Sequence, residues 1–167
     1  VVADPGRACD LLAELADSVH ATIADVRRLV YGLRPPALDD LGLLGALREH
    51  VNSIARHPGS VVVIVDAPEV LPELPAAVEV AIFRIAMEAL TNVQRHAHAN
   101  RCTVRLRLDD EIELTVEDDG VGIDGRGSGV GVHSMRERVR ELNGVWSLEA
   151  RQPTGTRIRA RLPLGAT

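Results

Sequence analysis

The chain has 167 residues, of which 46% are hydrophobic and 26% charged, a composition that suits one folded domain with an appended element rather than an intrinsically disordered protein. Its 24 acidic residues outnumber its 19 basic ones, giving a formal charge of −5, so a nucleic-acid partner held through phosphate contacts is not expected. Every basic residue is an arginine, which excludes mechanisms that need a catalytic lysine, such as Schiff-base chemistry.

Cysteine usage and hydropathy indicate a cytoplasmic protein. The two cysteines, Cys9 and Cys102, are far apart and match no metal-ligand spacing. No stretch of about 18 apolar residues is free of charges, and the first residues lack the pattern of a signal peptide. We therefore expect no membrane contact by this chain.

The first 33 residues predict one long helix, from residue 4 to about residue 33. Asp4 can cap its start and Pro5 suits its first position, while Arg34-Pro35-Pro36 would end it. Apolar residues and one threonine recur along it at alternating spacings of three and four, as in a heptad seam. They are Leu12, Leu15, Val19, Thr22, Val26, Leu29 and Leu33. Two interpretations stay open: an amphipathic helix lying on the following domain, and a helix from a dimeric bundle.

Beyond residue 36 the apolar period changes repeatedly between that of a helix and that of a strand. Asp39 and Asp40 can cap a helix over about 41–56, and two further helices are predicted over 75–98 and 132–143. The predicted strands are 60–65, 101–108, 111–117, 145–151 and 155–162. Strand pairs separated by helices predict an α+β fold, a two-layer sandwich with a mixed, mostly antiparallel sheet covered by helices on one face.

The predicted helix 75–98 is apolar around most of its circumference, but one line of polar residues breaks the pattern. That line consists of Arg84, Glu88, Asn92, Arg95 and His96. On its own it could be a solvated face with an ion pair between Arg84 and Glu88. His96 could likewise cap the end of the helix through a favourable dipole contact.

Two glycine motifs follow. Asp118 at the end of a strand, with Gly120 and Gly122 after it, offers a carboxylate that can accept from an amino group on a planar ring, and backbone that can approach that ring closely. Gly129 and Gly131, at the start of the predicted helix 132–143, leave backbone N–H groups free to hold phosphate oxygens. Each motif alone is a weak signal.

Together these motifs resemble the ATP-binding domain of bacterial sensor histidine kinases, in the GHKL superfamily that includes DNA gyrase. The match is to the subfamily that partners NarL-type response regulators. Residues 33–43 are similar to its connector after the dimerisation helices, 83–93 to its asparagine box, and 118–122 and 129–138 to its two glycine boxes. Gly155-Thr156 resembles the family's final Gly-Thr pair.

The resemblance implies a Bergerat ATP-binding fold over residues 35–167, preceded by the second helix of a dimerisation hairpin over 1–34. It also implies a protein-histidine kinase that passes the γ-phosphoryl group of ATP to a histidine on an absent upstream helix, for relay to a response-regulator aspartate. The full-length protein would be a homodimer through the N-terminal helix. None of the six histidines precedes an acidic residue as the family's phosphoacceptor does, so the chain is not expected to phosphorylate itself.

The resemblance also assigns roles within the site. Asn92 would coordinate Mg²⁺ that bridges the phosphates, and Glu88 would orient a water or the attacking imidazole. Arg95, where the family often has lysine, would meet phosphate charge together with His96.

At the base, Asp118 would accept from the adenine amino group, with Thr156 helping through water. Gly120 and Gly122 would line the base, and Gly129 and Gly131 the phosphates. The segment 123–128 between the glycine boxes would be a short nucleotide lid without an aromatic box.

Two other functions are compatible with this fold. An anti-sigma-factor-type kinase acting on serine or threonine is disfavoured by the connector and the long N-terminal helix. A noncatalytic nucleotide-binding interaction module is disfavoured by the intact Asn92 and Asp118.

Overall fold

The computed structural model describes residues 34–123 and 129–165. The chain divides into two compact units, Val1–Pro35 and Pro36–Thr167. The predicted N-terminal helix with its heptad seam, and most of the predicted lid, lie outside the described residues. No helix within the described ranges is long and apolar enough to cross a membrane.

The second unit contains three α-helices, a π-helical turn and five strands in the described ranges. In chain order they are α1 (Pro36–Ala55), β1 (Val62–Asp66), α2 (Ala76–Asn92), the π-helical turn (Val93–Ala97), β2 (Arg101–Leu108), β3 (Glu111–Asp118), α3 (Val130–Glu141), β4 (Val145–Ala150) and β5 (Thr156–Pro163). The order of helices and strands agrees with the prediction, and the boundaries differ by a few residues.

The first helix is the exception. It begins at Pro36 and is interrupted at Gly42, whose φ of 65° and ψ of 178° only glycine adopts readily. The expectation that Asp39 and Asp40 cap a helix starting near residue 41 is therefore wrong, because both lie within the first helical piece. The pattern of apolar residues did not reveal this break.

The five strands form one mixed sheet in the order β1-β2-β3-β5-β4. Only β1 and β2 are parallel, with Val62 opposite Arg101, and the other three pairs are antiparallel. Alternate residues of the three central strands are buried, as expected for a sheet covered on one face. They are Cys102, Val104, Leu106, Ile112, Leu114, Val116, Ile158, Ala160 and Leu162. The predicted two-layer α+β architecture is confirmed.

Helix α2 packs at the centre of the core. Its residues Ile82, Ile85, Ala89 and Leu90 are fully buried, which agrees with its apolar sequence. The helical backbone reaches the predicted end near residue 98, but its last turn widens into the π-helical turn and ends at His98 with a φ of 49°. Such π-helical turns are often found at functional sites.

The opposite face of the sheet is polar. Arginines on β5 pair with glutamates on β3, as in Arg157 with Glu117. At the edge strand, Asp66 Oδ2 accepts from Arg105 Nε at 2.9 Å and from Arg107 Nη2 at 2.7 Å. The hydrogen bonds from Arg107 and Arg105 hold the pKa of the Asp66 carboxyl below its ordinary value.

This lowered pKa predicts a pH-dependent contribution to stability. A carboxyl whose pKa is lowered by folding stabilises the protein above its unfolded pKa of about 3.9, and that stability is lost as the pH falls through the folded pKa. Asp66→Asn should therefore lower the melting temperature near neutral pH, and the deficit should shrink in acid. Thermal unfolding of both proteins, measured from neutral pH into acid, gives this difference in melting temperature. Asp110→Asn, at an exposed turn, should show no comparable deficit. A deficit for Asp66→Asn that is independent of pH would contradict the interpretation.

Candidate functional site

A cavity of about 420 Å³ lies between α2, the π-helical turn, the start of α3 and the sheet. We call it the central cavity. Its volume is in the range of small-molecule and cofactor sites. Its polar lining comes mainly from α2 and the π-helical turn, and its apolar lining mainly from β3, β4, β5 and the start of α3.

Nine of the ten site residues proposed from the sequence line this cavity. They are Glu88, Asn92, Arg95, His96, Asp118, Gly122, Gly129, Gly131 and Thr156. Gly120 is not among the lining residues, and neither is Arg84, one turn before Glu88. Most of the polar line on α2 therefore faces this cavity rather than bulk solvent alone.

Burial divides the polar residues of α2 and its continuation into two groups. Glu88 and Asn92 are half-buried, whereas Arg95 and His96 on the π-helical turn are exposed at the cavity rim. Thr91 also lines the cavity, although its hydroxyl donates to the Met87 carbonyl at 2.8 Å. The arrangement places the Glu88 carboxylate and the Asn92 carboxamide inside the cavity, with the Arg95 guanidinium and the His96 imidazole near its mouth.

Asp118 is the buried acid of the site. Asp118 is only 4% exposed, and its Oδ1 accepts from the backbone N–H of Gly120 at 2.9 Å. The described residues provide no hydrogen bond to its other oxygen. Because a buried carboxylate is costly unless it is hydrogen-bonded, this oxygen is suited to accept from a ligand that enters the cavity.

Cys102 lies opposite Asp118 on β2 and is fully buried. Burial, together with the nearby carboxylates of Asp118, Asp119 and Glu117, raises the pKa of its thiol to about 12. The thiol therefore stays protonated at neutral pH, and no thiolate nucleophile is available beside the acid.

Gly120 packs against the π-helical turn and is not among the residues that line the cavity. A Cβ at this position would overlap the carbonyl oxygen of Ala97, to which the N–H of Val121 donates at 2.8 Å. Its absent side chain therefore lets the loop after β3 pack against the π-helical turn. The Gly120 N–H also donates to Asp118 Oδ1, so this glycine helps to orient the Asp118 carboxylate.

The turn between β4 and β5 holds this loop from the other side. Arg151 Nη1 donates to the Asp118 carbonyl at 2.9 Å, and the Thr154 hydroxyl donates to the Asp119 carbonyl at 3.4 Å. Gly155 has a φ of 109°, and a Cβ on it would overlap the same Asp118 carbonyl. Sequence reasoning missed Arg151, because nothing in a local pattern indicates which distant carbonyl an arginine reaches.

Asp119 fixes the start of the loop after β3. Its Oδ1 accepts from the backbone N–H groups of Arg101 at 2.9 Å and Asn100 at 2.8 Å, at the start of β2. The hydrogen bond from Arg101, followed by that from Asn100, lowers the pKa of its carboxyl. Asp118 and Asp119 are adjacent in sequence, yet one serves the cavity and the other ties two strands together.

Apolar side chains form the remaining walls, and the sequence analysis did not single them out. Those from the sheet are Val116, Leu148 and Ile158, and those from the flanking segments include Ile123 and Val132. The strand period could have identified two of them, because Val116 lies two residues before Asp118 and Ile158 two residues after Thr156. Together with the buried carboxylate they suit a flat, largely apolar ring that carries a donor group.

Comparison with known proteins agrees with this geometry. Residues 77–166 match the family described as histidine kinase-, DNA gyrase B-, and HSP90-like ATPase. The chain is 34% identical over 157 residues to the sensor histidine kinase MctS of Rhizobium johnstonii, covering 90% of this chain and 34% of that protein. It is 32% identical over 159 residues to the histidine-protein kinase/phosphatase DegS of Brevibacillus brevis, covering 92% of this chain and 40% of that protein.

Among solved structures, the histidine kinase domain of a blue-light activated kinase from Erythrobacter litoralis superposes with a TM-score of 0.59 at 25% identity. The superposition covers 77% of this chain and 69% of that one. The chain spans well under half the length of the two curated relatives. Because the family match extends over more than half of the residues, the chain belongs to the histidine kinase-, DNA gyrase B- and HSP90-like ATPases, as an ATP-binding domain of the sensor histidine kinase type.

Proposed function

We propose that the central cavity binds Mg-ATP and presents its γ-phosphoryl group to a histidine on the dimerisation segment of the full-length kinase. The observation that carries this proposal is the convergence of Asp118 from β3 with Glu88 and Asn92 from α2 on one cavity. From the histidine, the phosphoryl group would pass to an aspartate of a response regulator. The full-length protein would act as a homodimer in the cytoplasm.

The base end of the cavity is proposed to lie at the sheet. The free oxygen of Asp118 would accept from the adenine amino group, while Val116, Leu148 and Ile158 contact the ring. Thr156 lines the same region and would assist through water. A buried acceptor facing an apolar slot supports selectivity for adenine, because guanine carries a carbonyl oxygen where adenine carries the amino group.

The phosphate end is proposed to lie along α2 and the start of α3. Asn92 offers a neutral amide oxygen of the kind that Mg²⁺ takes when phosphates supply its other ligands. When bound, the cation would neutralise charge on the phosphates. Arg95 would add positive charge at the mouth and His96 a ring N–H donor, and the N–H groups near Gly129 would face phosphate oxygens.

The transfer itself would need little covalent work from this chain, since phosphoryl transfer depends mainly on positioning and charge stabilisation. A nitrogen of the attacking imidazole forms a bond to the γ-phosphorus as the bond to the β–γ bridging oxygen breaks. ADP leaves with that electron pair, and the proton on the other ring nitrogen passes to a base or to solvent. Glu88, inside the cavity, is proposed to orient the attacking imidazole or a water beside it.

The base assignment predicts a loss of affinity in Asp118→Ala. Removing a charged acceptor should weaken ADP binding by roughly 1.5 to 3 kcal/mol and reduce the preference for ADP over GDP. Isothermal titration calorimetry with both nucleotides measures the two effects. Asp109→Ala, in the exposed turn between β2 and β3, is the matched control and should bind like the parent. Unchanged ADP affinity in Asp118→Ala would refute the assignment.

The metal assignment predicts a different phenotype for Asn92→Ala. The variant should lose much of the gain in ATP affinity that Mg²⁺ gives the parent, while the fold stays intact because alanine is the better helix former. Titrations with Mg²⁺ and with EDTA measure this gain. Gln94→Ala changes an exposed amide on the same segment that does not line the cavity, so it should retain the full gain. An Asn92→Ala variant with the parent's Mg²⁺ dependence would show that Asn92 binds no cation.

The clamp on the Asp118 carbonyl predicts that Arg151 contributes to nucleotide binding from outside the cavity. Arg151→Ala removes one hydrogen bond from a charged donor and should weaken ADP by roughly 1 kcal/mol, about fivefold, through a looser Asp118. Its response to Mg²⁺ should stay that of the parent. Arg161→Ala, on the exposed face of β5, should leave ADP affinity unchanged. Equal affinities for the two variants would mean that the clamp does not position Asp118.

A further inference from the structure

Helix α3 begins against the carboxylate of Glu88. A Cβ built on Gly131, in the first turn of α3, would overlap Glu88 Oε1 and lie 2.8 Å from its Cδ and 3.3 Å from its Cγ. The Glu88 side chain therefore occupies the space that any other residue at position 131 would fill. Both residues line the central cavity.

Gly129, in the same glycine motif, has no such neighbour. A Cβ on it would meet nothing within 4 Å, and its φ of −63° and ψ of 150° are open to any residue. The two glycines are therefore not equivalent: one could carry a methyl group without a clash, and the other could not.

The backbone does not explain the glycine at position 131. Gly131 lies inside α3 and is not among the glycines with positive φ, so alanine could adopt its conformation. Alanine also favours helix formation over glycine. The contact with Glu88, and not the backbone conformation, explains why position 131 is a glycine.

Electrostatics favours the same contact. Gly129, the residue that caps α3, has no side chain to accept from the first N–H groups of the helix. A carboxylate near the N-terminus of a helix is stabilised by the positive end of the helix dipole. Glu88, reaching across from α2, places a negative charge beside this terminus.

We propose that Gly131 is a positioning residue for Glu88. By having no side chain, it keeps open the space in which the Glu88 carboxylate lies, so that α3 determines where this carboxylate stands at the phosphate end of the cavity. The consequence for catalysis rests on the proposed function: a methyl group at position 131 turns the carboxylate away and slows phosphoryl transfer more than it weakens nucleotide binding.

The contact is tested in the chain without nucleotide. In a protein labelled with ¹³C at glutamate side-chain carboxyls, the Glu88 signal is identified by its loss in Glu88→Gln. Gly131→Ala should shift this signal, and Gly129→Ala should leave it in place. An unshifted Glu88 signal in Gly131→Ala would overturn the proposal.

Thermal unfolding gives an independent measure of the same contact. In a Glu88→Ala background, Gly131→Ala should raise the melting temperature, because only the helix preference for alanine remains. With Glu88 present, the rise should be smaller or reversed, which is the coupling that a double-mutant cycle detects. Equal changes in the two backgrounds would overturn the proposal.

The positioning role is tested in the full-length kinase, which carries its own phosphoacceptor. At saturating Mg-ATP, Gly131→Ala should slow autophosphorylation about tenfold while ADP affinity changes less than about threefold. Gly165→Ala, at an exposed position outside the cavity where a Cβ meets nothing within 4 Å, should do neither. Adding Glu88→Asp, whose side chain is one methylene shorter, should recover part of the rate. Loss of affinity equal to the loss of rate would overturn the role. Failure of the proposed function would instead appear as a parent that does not bind Mg-ATP, with the ligand-free results unaffected.

Discussion

The buried carboxylate of Asp118 is the constraint on which the site depends. A charge at a position only 4% exposed is tolerated when hydrogen bonds compensate its lost hydration, and the described residues compensate only one of its oxygens. Asp118 lines the cavity, where its other oxygen can accept from a donor that enters. Three hydrogen bonds hold Asp118 and its neighbour in place. The Gly120 N–H donates to the Asp118 carboxylate, Arg151 donates to the Asp118 carbonyl, and the Asp119 carboxylate accepts from the Arg101 N–H at the start of β2.

The loop that carries Asp118 is held by contacts in which backbone atoms lie so close together that no side chain fits between them. The loop after β3 touches the Ala97 carbonyl through Gly120, and the turn before β5 touches the Asp118 carbonyl through Gly155. A methyl group at either position would push these segments apart. Glycines in such a motif are therefore required by packing within the protein as well as by the approach of a ligand. Gly131, which packs against Glu88, is a third example.

Sequence period and residue type were sufficient to predict the sheet and the helices that cover it, whereas the roles of the site residues were implied by the resemblance of the motifs to the histidine kinases. Helical spacing placed Glu88 and Asn92 on one line of α2, because that spacing follows from local geometry. Three features could not be predicted this way. The break at Gly42 and the π-helical turn depend on tertiary packing, and the reach of Arg151 to Asp118 spans 33 residues of sequence.

The two proposed ends of the cavity differ in burial and in residue type, and this difference suits phosphoryl transfer to another segment. The proposed base end is walled by strands and by the buried Asp118, which would let it select an adenine ring and hold it in one position. The proposed phosphate end carries Arg95 and His96 on exposed positions of the π-helical turn. In the proposed function, the γ-phosphoryl group stays accessible to a histidine of another segment, so groups at the mouth have to attract phosphate without enclosing it. The exposed guanidinium of Arg95 meets that requirement, whereas a buried ion pair would not.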